Sequence, residues 1–421
     1  MNRWLASFRQ YHPLIWLLVG GTVFARGAAF MSLPFLAIYL SRTTDLNPLW
    51  IGIVLGLGPL AGTVGGFVGG HLSDRFGRGI VMVSTLFVWS AVFIGFALTK
   101  EVWGFMILNV LNGLCRSFFE PTSQALMADL TPPEKRMRVF GFRYLAINVG
   151  AAVGPLLGAY LAAFSGVVTF WITGTVYGCY ALLLWIMMHR YHQDIGHRSA
   201  SEIVRFSDAV RVVRKDTALG YFVLSGILAS IGYAQIESSL PLYLNQLYGV
   251  HNRLYPALLA VNATCVILLQ IPLTRWCEKR TLLVNLVTGT LLFSLGIGCF
   301  ALGTHSAWFA AGMVILTLGE IVSFPTSNLF IDRLAPESLR GTYFGASGFQ
   351  ALGFFAGPAL GGWLLDWIGG PWMYRVMACL ACIGIVFNWL GYRAFQRRKK
   401  QTTIWVGNER EKRATQKPVS S

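Results

Sequence analysis

Charged residues make up only 12% of the 421 positions, about half the share found in an ordinary soluble domain. A chain this long with so little charge cannot cover itself with a water-facing surface. Its 55% hydrophobic content and mean hydropathy of +0.56 point the same way. Long polar stretches are missing as well: between Leu14 and Phe395 the breaks are short, and the longest covers 190–216. Cysteines are sparse and scattered. All seven except Cys277 fall in apolar stretches, which excludes a disulfide framework and predicts free thiols. Cys379 and Cys382 form a C-x-x-C, but as an i, i+3 pair in the middle of an apolar helix they read as packing.

Catalytic wording is absent too. There is no Walker loop, no Ser or Cys nucleophile context and no paired metal-ligand motif. His189, His192 and His197 gather near the end of one apolar stretch without a companion Cys or carboxylate at metal-site spacing, and read as a solvated cluster. ATP-driven and enzymatic functions lose their support, and neither cofactor nor metal is expected. Arg3 and Arg9 precede the first apolar stretch with no small-residue cleavage site, so no cleaved signal peptide is expected.

What is present is lipid-soluble helix. A span needs about 20 largely apolar residues, and twelve such stretches can be read: 14–40, 50–70, 80–99, 103–127, 139–162, 167–189, 217–244, 255–273, 281–303, 307–330, 342–365 and 371–395. Backbone groups in lipid must be bonded within the structure, so the choice is helices or a closed barrel. Continuous apolar runs without dyad alternation decide for helices. The 46 glycines fit close helix packing. Trp50, Trp103, Trp171, Trp308 and Trp367 fall at span ends and read as interfacial anchors.

The formal charge of +16 would suit a nucleic-acid partner, but its distribution does not. With both termini inside, 27 of the 34 Lys and Arg fall in inside loops and tails, and only Arg42, Lys100 and Arg253 in outer loops. That positive-inside asymmetry predicts an N-in, C-in topology. No nucleic-acid partner is expected.

The central polar break divides the chain into an N-terminal six-span bundle (1–189), a linker (190–216), a C-terminal six-span bundle (217–395) and a basic tail (396–421) whose composition predicts no fixed structure. Within the linker, Ile203, Val210, Val212 and Val213 allow either an amphipathic surface helix or a solvated strand of charge. The halves repeat each other. Pro121-Thr122-Ser123 matches Pro325-Thr326-Ser327, and a register of 204 residues carries on through Leu130/Leu334, Pro132/Pro336, Arg136/Arg340 and Phe140-Gly141/Phe344-Gly345. One residue is then lost before Gly154-Pro155-x-x-Gly158 matches Gly357-Pro358-x-x-Gly361. Ser32-Leu33-Pro34 and Ser239-Leu240-Pro241 echo the same repeat. Parallel repeats of this kind place a binding site near the bilayer midplane and permit alternating access by rocking.

Between spans two and three stands Gly70-His71-Leu72-Ser73-Asp74-Arg75-Phe76-Gly77-Arg78. A tight basic loop needs glycine for its turn, and Asp74 is placed to pair with Arg75 or Arg78 or to face a helix N-terminus. This G-x-x-x-D-R-x-G-R pattern resembles the signature of the major facilitator superfamily, and with the twelve spans and the repeat the resemblance covers nearly the whole chain. It implies an all-α membrane protein of two pseudo-symmetric six-helix bundles, in which Gly70, Asp74, Arg75, Gly77 and Arg78 latch the halves together on the inside. The corresponding second-half loop, Thr274 to Arg280, has charges without the glycine framework, and the latch is not extended to it. Span five, with Gly150, Gly154, Pro155 and Gly158, resembles the antiporter motif of the drug:proton antiporters, with Ala159 where a final glycine is often found. Span eleven carries a fuller version, Gly353 to Gly362, so the pattern also reads as packing.

Ionisable groups in mid-span are costly and are functional candidates by default. Five stand out: Arg26, Arg116, Glu120, Glu237 and Glu320. Arg116 and Glu120 are i, i+4 and can neutralise each other. Glu237 and Glu320 have no basic residue within two turns of their own segments, which suits proton carriers or a static bridge between halves. Glu320, Glu237 and Glu120 are the candidate proton-coupling acids, and Arg26 and Arg116 the candidate cavity charges that hold a substrate anion or couple protonation to the gate. Arg116 and Glu320 share a repeat position and so are expected to face the cavity from opposite halves. Arg143 and Arg375 lie near span ends and read as snorkelling side chains.

The reading that follows is a secondary transporter of the bacterial inner membrane, multi-pass and monomeric, exporting small molecules such as drugs or metabolites against protons. Its partners are a small-molecule substrate, protons and membrane lipids. A proton-coupled importer or lipid flippase of the same fold is the alternative, and a sensor or enzyme in lipid a third.

Overall fold

The computed structural model describes residues 10–43, 48–162, 166–191, 206–249, 254–303 and 305–415. Outside them lie Arg3, Arg9, His192, His197, Ile203 and Arg253, and the side chains of Trp50 and Ala159 are likewise not described. The described residues are helical with short turns. In chain order the helices are α1 (Pro13–Thr43), α2 (Pro48–Phe76), α3 (Arg78–Leu98), α4 (Val102–Asp129), α5 (Arg136–Ala162), α6 (Gly166–Arg190), α7 (Phe206–Lys215), α8 (Thr217–Glu237), α9 (Ser239–Tyr248), α10 (Leu254–Glu278), α11 (Leu282–Phe300), α12 (Ser306–Leu334), α13 (Arg340–Ser347) and α14 (Leu352–Thr415).

Among the described residues ten helical stretches are long and apolar enough to cross a membrane. The last, Glu337–Arg398, covers 62 residues, about three times what one crossing needs. Gly369 breaks it: its φ of 78° leaves the helical region, a conformation open to glycine because it has no Cβ. Gly77 does the same between α2 and α3 with φ 94°. That turn reverses the chain within a single residue, which is why the loop motif contains glycine there.

The repeat is visible in local structure. Short 3₁₀ turns at Pro133–Lys135 and Glu337–Leu339 occupy the same repeat position, each followed by a helix that starts on an arginine, Arg136 or Arg340. Where the repeat loses one residue the halves diverge: α5 runs on, whereas its counterpart breaks after Ser347 into a 3₁₀ turn, Gly348–Ala351, before α14.

Helices α1 to α6 pack among themselves, chiefly α1 on α5, α2 on α4 and α3 on α6, and α8 to α14 do likewise through α8 on α14 and α11 on α12. The first group is cored by Phe93, Phe96, Phe105, Phe170 and Tyr177, the second by Phe300, Phe309 and Tyr374. Large rings fill the space between helices that small residues hold close elsewhere. A Cβ on Gly312 would sit 2.8 Å from the carbonyl oxygen of Gly296, so α11 and α12 touch backbone to backbone. The groups meet along α5 against α10 and α12, and α13 against α2 and α4.

The span-five glycines have a definite task. A Cβ on Gly150 would lie 2.8 Å from the nitrogen of Gly27, and one on Gly154 2.8 Å from Phe30 Cβ, so the motif seats α5 on α1. Gly353 and Gly357 seat α14 on α8 against Ile227, Ser230, Ile231 and Ala234. The same joint is thus made in both groups.

In the polar segments, where the sequence leaves the linker open between a surface helix and a solvated segment, only the tail departs from expectation. The described part of the linker forms α7, with Ala209 buried and Val210 and Val212 exposed. The tail, expected to lack fixed structure, continues as helix to Thr415. Its Gln, Arg, Lys and Glu are good helix formers, and extending an existing helix avoids the nucleation cost. Cys379 and Cys382 are free and exposed on α14.

Candidate functional site

The charges divide into a latch at one end of the bundle and two clusters deep within it. At the latch end, Arg78 Nη1 donates to Asp74 Oδ1 at 2.5 Å. The backbone N–H groups of Gly341 and Thr342 donate to the same carboxylate at 3.0 and 2.7 Å, and the Thr342 hydroxyl at 2.6 Å. Asp74 therefore reaches from α2 of the first group to the N-terminus of α13 in the second, where unsatisfied N–H groups and the helix dipole favour an anion. Gly70 permits the approach, since a Cβ there would overlap the Gly341 carbonyl. Arg75 stands apart, exposed over the Phe76 ring.

Around this latch the groups exchange ion pairs reciprocally. Arg136 of the first binds Asp332 of the second at 2.7 Å, and Arg340, its repeat mate, binds Asp129 of the first at 2.7 Å. Arg78 also binds Asp129, at 3.1 Å. Arg138 grips both oxygens of Glu278, at 3.0 and 2.6 Å, so the second-half loop does bridge the groups, though without a glycine framework. The sequence does not single out Asp129 and Asp332, and marks Glu278 only as loop charge, because acids at span ends look like solvated loop charge.

His71 lies on the same face, beyond the apolar part of α2, with Phe206 of α7 edge-on to its ring at 5.1 Å. Neither ring nitrogen has a hydrogen-bond partner among the described residues. Burial pushes its pKa below the ordinary 6.5; Asp74 opposes that shift and Arg75 adds to it.

The first deep cluster centres on Glu120. Its Oε1 is bound by Arg26 of α1 and its Oε2 by Arg143 of α5. The i, i+4 pair of Arg116 with Glu120 is not formed; both oxygens are taken by other helices. Arg143, read as snorkelling, is 5% exposed and points into the protein. Its position carried a signal: it lies seven residues before Gly150, hence on the helical face that packs on α1 beside Arg26. Arg375 does lie over a ring, that of Trp372, at 4.4 Å. Arg116 keeps an exposed side chain and forms no ion pair among the described residues.

The second deep cluster surrounds Glu320, which is 1% exposed. Asn262 of α10, held by Thr317, donates to its Oε2 at 2.9 Å. The Tyr144 hydroxyl of α5 donates to the same oxygen at 3.3 Å, a bond from one group to the other. Oε1 has no hydrogen-bond partner among the described residues. Tyr144 stacks on Phe324 with centroids 4.8 Å apart, and Tyr233 meets Phe324 edge to face at 6.5 Å. No cation forms an ion pair with Glu320 among the described residues. Glu237 is not brought to this cluster; it ends α8 with an exposed side chain.

Two helix groups of repeated design, joined at one end and carrying buried charge, define a polytopic helical membrane protein. The family model of the Major Facilitator Superfamily matches residues 18–350. An uncharacterized MFS-type transporter, YqjV of Bacillus subtilis (strain 168), is 33% identical over 96% of this chain and 98% of its own. A Na(+), Li(+), K(+)/H(+) antiporter of Planococcus maritimus is 27% identical, over 88% and 94% respectively. In fold, the chain resembles the transporter FucP in its outward conformation, with a TM-score of 0.75, 13% identity and coverage of 90% and 99%. The chain belongs to the Major Facilitator Superfamily: it is a multi-pass membrane transporter and not an enzyme.

Proposed function

We propose that this transporter exports a small molecule across the cytoplasmic membrane in exchange for protons, by alternating access of two six-helix bundles with twelve spans and both termini inside. The observation that carries the reading is Glu320, a fully enclosed carboxyl with no ion-pair partner among the described residues, bonded across the seam by Tyr144. An unpaired carboxylate in a low-dielectric site is costly and a neutral carboxyl is not. Proton loss at Glu320 is therefore tied to whether the seam around it is open to water. Rocking the bundles separates α5 from α12, breaks the Tyr144 contact and admits water on one side at a time.

The latch end is then the inside, closed here by Asp74 and the reciprocal arginine pairs. In this scheme Glu320 takes its proton from outside and releases it inside. Glu120 serves as counter-ion to Arg26 and Arg143, and Arg116 is left for the substrate. Export is supported by the span-five wording and by the antiporter relative, which exchanges cations for protons.

A susceptibility and metabolite-accumulation panel, comparing cells that overexpress the chain with cells carrying Asp74→Asn, would identify the cargo. With that cargo in proteoliposomes, Glu320→Gln should abolish substrate-dependent proton movement. Unchanged coupling would remove Glu320 from the mechanism.

A further inference from the structure

Charge inside the membrane is segregated by bundle. In mid-span the first bundle contributes Arg26, Arg116 and Arg143 against one carboxylate, Glu120, a formal excess of positive charge. The second contributes Glu237 and Glu320 and no cation at that depth. Helix rise places Arg116 about 21 Å along α4 and Glu320 about 21 Å along α12 from the end opposite the latch. Glu237 lies about 17 Å from that same end, measured along α9 and the last residue of α8. The three share a level to within one turn.

Among the described residues at this level only two charged side chains are exposed, Arg116 in the first bundle and Glu237 in the second. Arg26 and Arg143 are bound to Glu120, and Glu320 is closed off behind Tyr144. Arg116 has no ion pair among the described residues, and the carboxylate one turn on, Glu120, is bound by Arg26 and Arg143. A guanidinium at this depth without a carboxylate of its own calls for an anion.

We infer that the substrate is a zwitterion whose anionic group docks on Arg116 and whose protonated amine faces Glu237. A plain cation would have to lie against the positive excess of the first wall. A plain anion would leave the acids of the second wall opposed to nothing and would bind together with a proton rather than in place of one. An amine facing the second wall competes with protons for its acids, which is the exchange the transporter needs, so the inference rests on the exchange reading above. The half-buried ring of Tyr233, one turn before Glu237 on α8, suits an apolar body between the two charges.

The test uses three probes on one scaffold: 2-naphthylalanine as zwitterion, its amide as cation and its N-acetyl derivative as anion. Binding to the purified full chain in lipid nanodiscs is measured by calorimetry. The zwitterion should bind at least about tenfold more tightly than either relative. Arg116→Gln should reduce zwitterion binding about ten- to a hundredfold, to the level of the amide, and leave the amide unchanged. Arg116→Lys should restore part of the loss, which separates lost charge from lost fold. Glu237→Gln should bring the zwitterion down to the level of the N-acetyl anion. Equal binding of the three probes, no binding of the zwitterion, or an Arg116→Gln variant that weakens amide and zwitterion alike would overturn the assignment. If the charge preference holds but zwitterion uptake into proteoliposomes ignores an imposed pH gradient, proton exchange fails and the substrate class stands.

Discussion

Arg143 shows how much a single side chain in lipid depends on partners contributed by other helices. Removing it would leave Glu120 Oε2 without its guanidinium, and breaking a buried pair from one side costs about 3–5 kcal/mol. Arg143→Gln should therefore lower the unfolding temperature of the purified protein clearly, whereas Arg375→Gln, over Trp372, should leave it nearly unchanged. Similar melting of the two variants would contradict the geometry. His71 makes a prediction in pH. Enclosed in the closed latch its pKa lies below 6.5, and once the latch opens to water it returns toward that value. The closed state thus binds fewer protons, so closure is fully favoured above pH 6.5 and weakens as pH falls through the window below it. Spin-label distances across the latch end should lengthen on acidification, and His71→Phe should remove that response. The mid-span charges except Arg143, which read as a span-end residue, were legible in the sequence as expensive residues. Their pairing was not, because α1, α4 and α5 meet only in three dimensions.

At the scale of elements the latch is an anion on a helix end. Asp74→Asn keeps the side-chain shape but removes the charge facing α13, worth about 0.3–2 kcal/mol where the site is partly buried. It should shift the bundle toward opening at the latch end by about 2- to 30-fold, read as faster thiol labelling at Ser73→Cys. An unchanged labelling rate would show that the arginine pairs alone keep the end closed. The glycine seams make a matched prediction. Gly154→Leu and Gly357→Leu should each weaken one bundle to a similar degree in thermal melts, since both glycines seat a helix on its neighbour. A loss confined to transport in Gly154→Leu would instead mean that the span-five motif acts on the cycle itself. Helix positions, the repeat and the loop turn were readable from apolar length, the 204-residue register and Gly77. The tail helix was not, because composition that suits disorder also suits a helix already nucleated by α14.

Taken whole, the molecule is two like bundles whose contacts at the latch end are reciprocal: Arg136 reaches Asp332 while Arg340 reaches Asp129. That exchange explains why Arg136 and Arg340 keep one repeat position, and why the interior need not be symmetric. The first bundle is rich in arginine and the second in acid. What ties motion to energy in this account is Glu320, an enclosed carboxyl with no cation paired to it among the described residues. The most direct measurement compares two modes of transport in proteoliposomes holding Glu320→Gln. Gradient-free substrate exchange should persist near the wild-type rate, while uptake driven by an imposed pH gradient should fall by at least about tenfold. Full pH-driven accumulation by the variant would contradict the account.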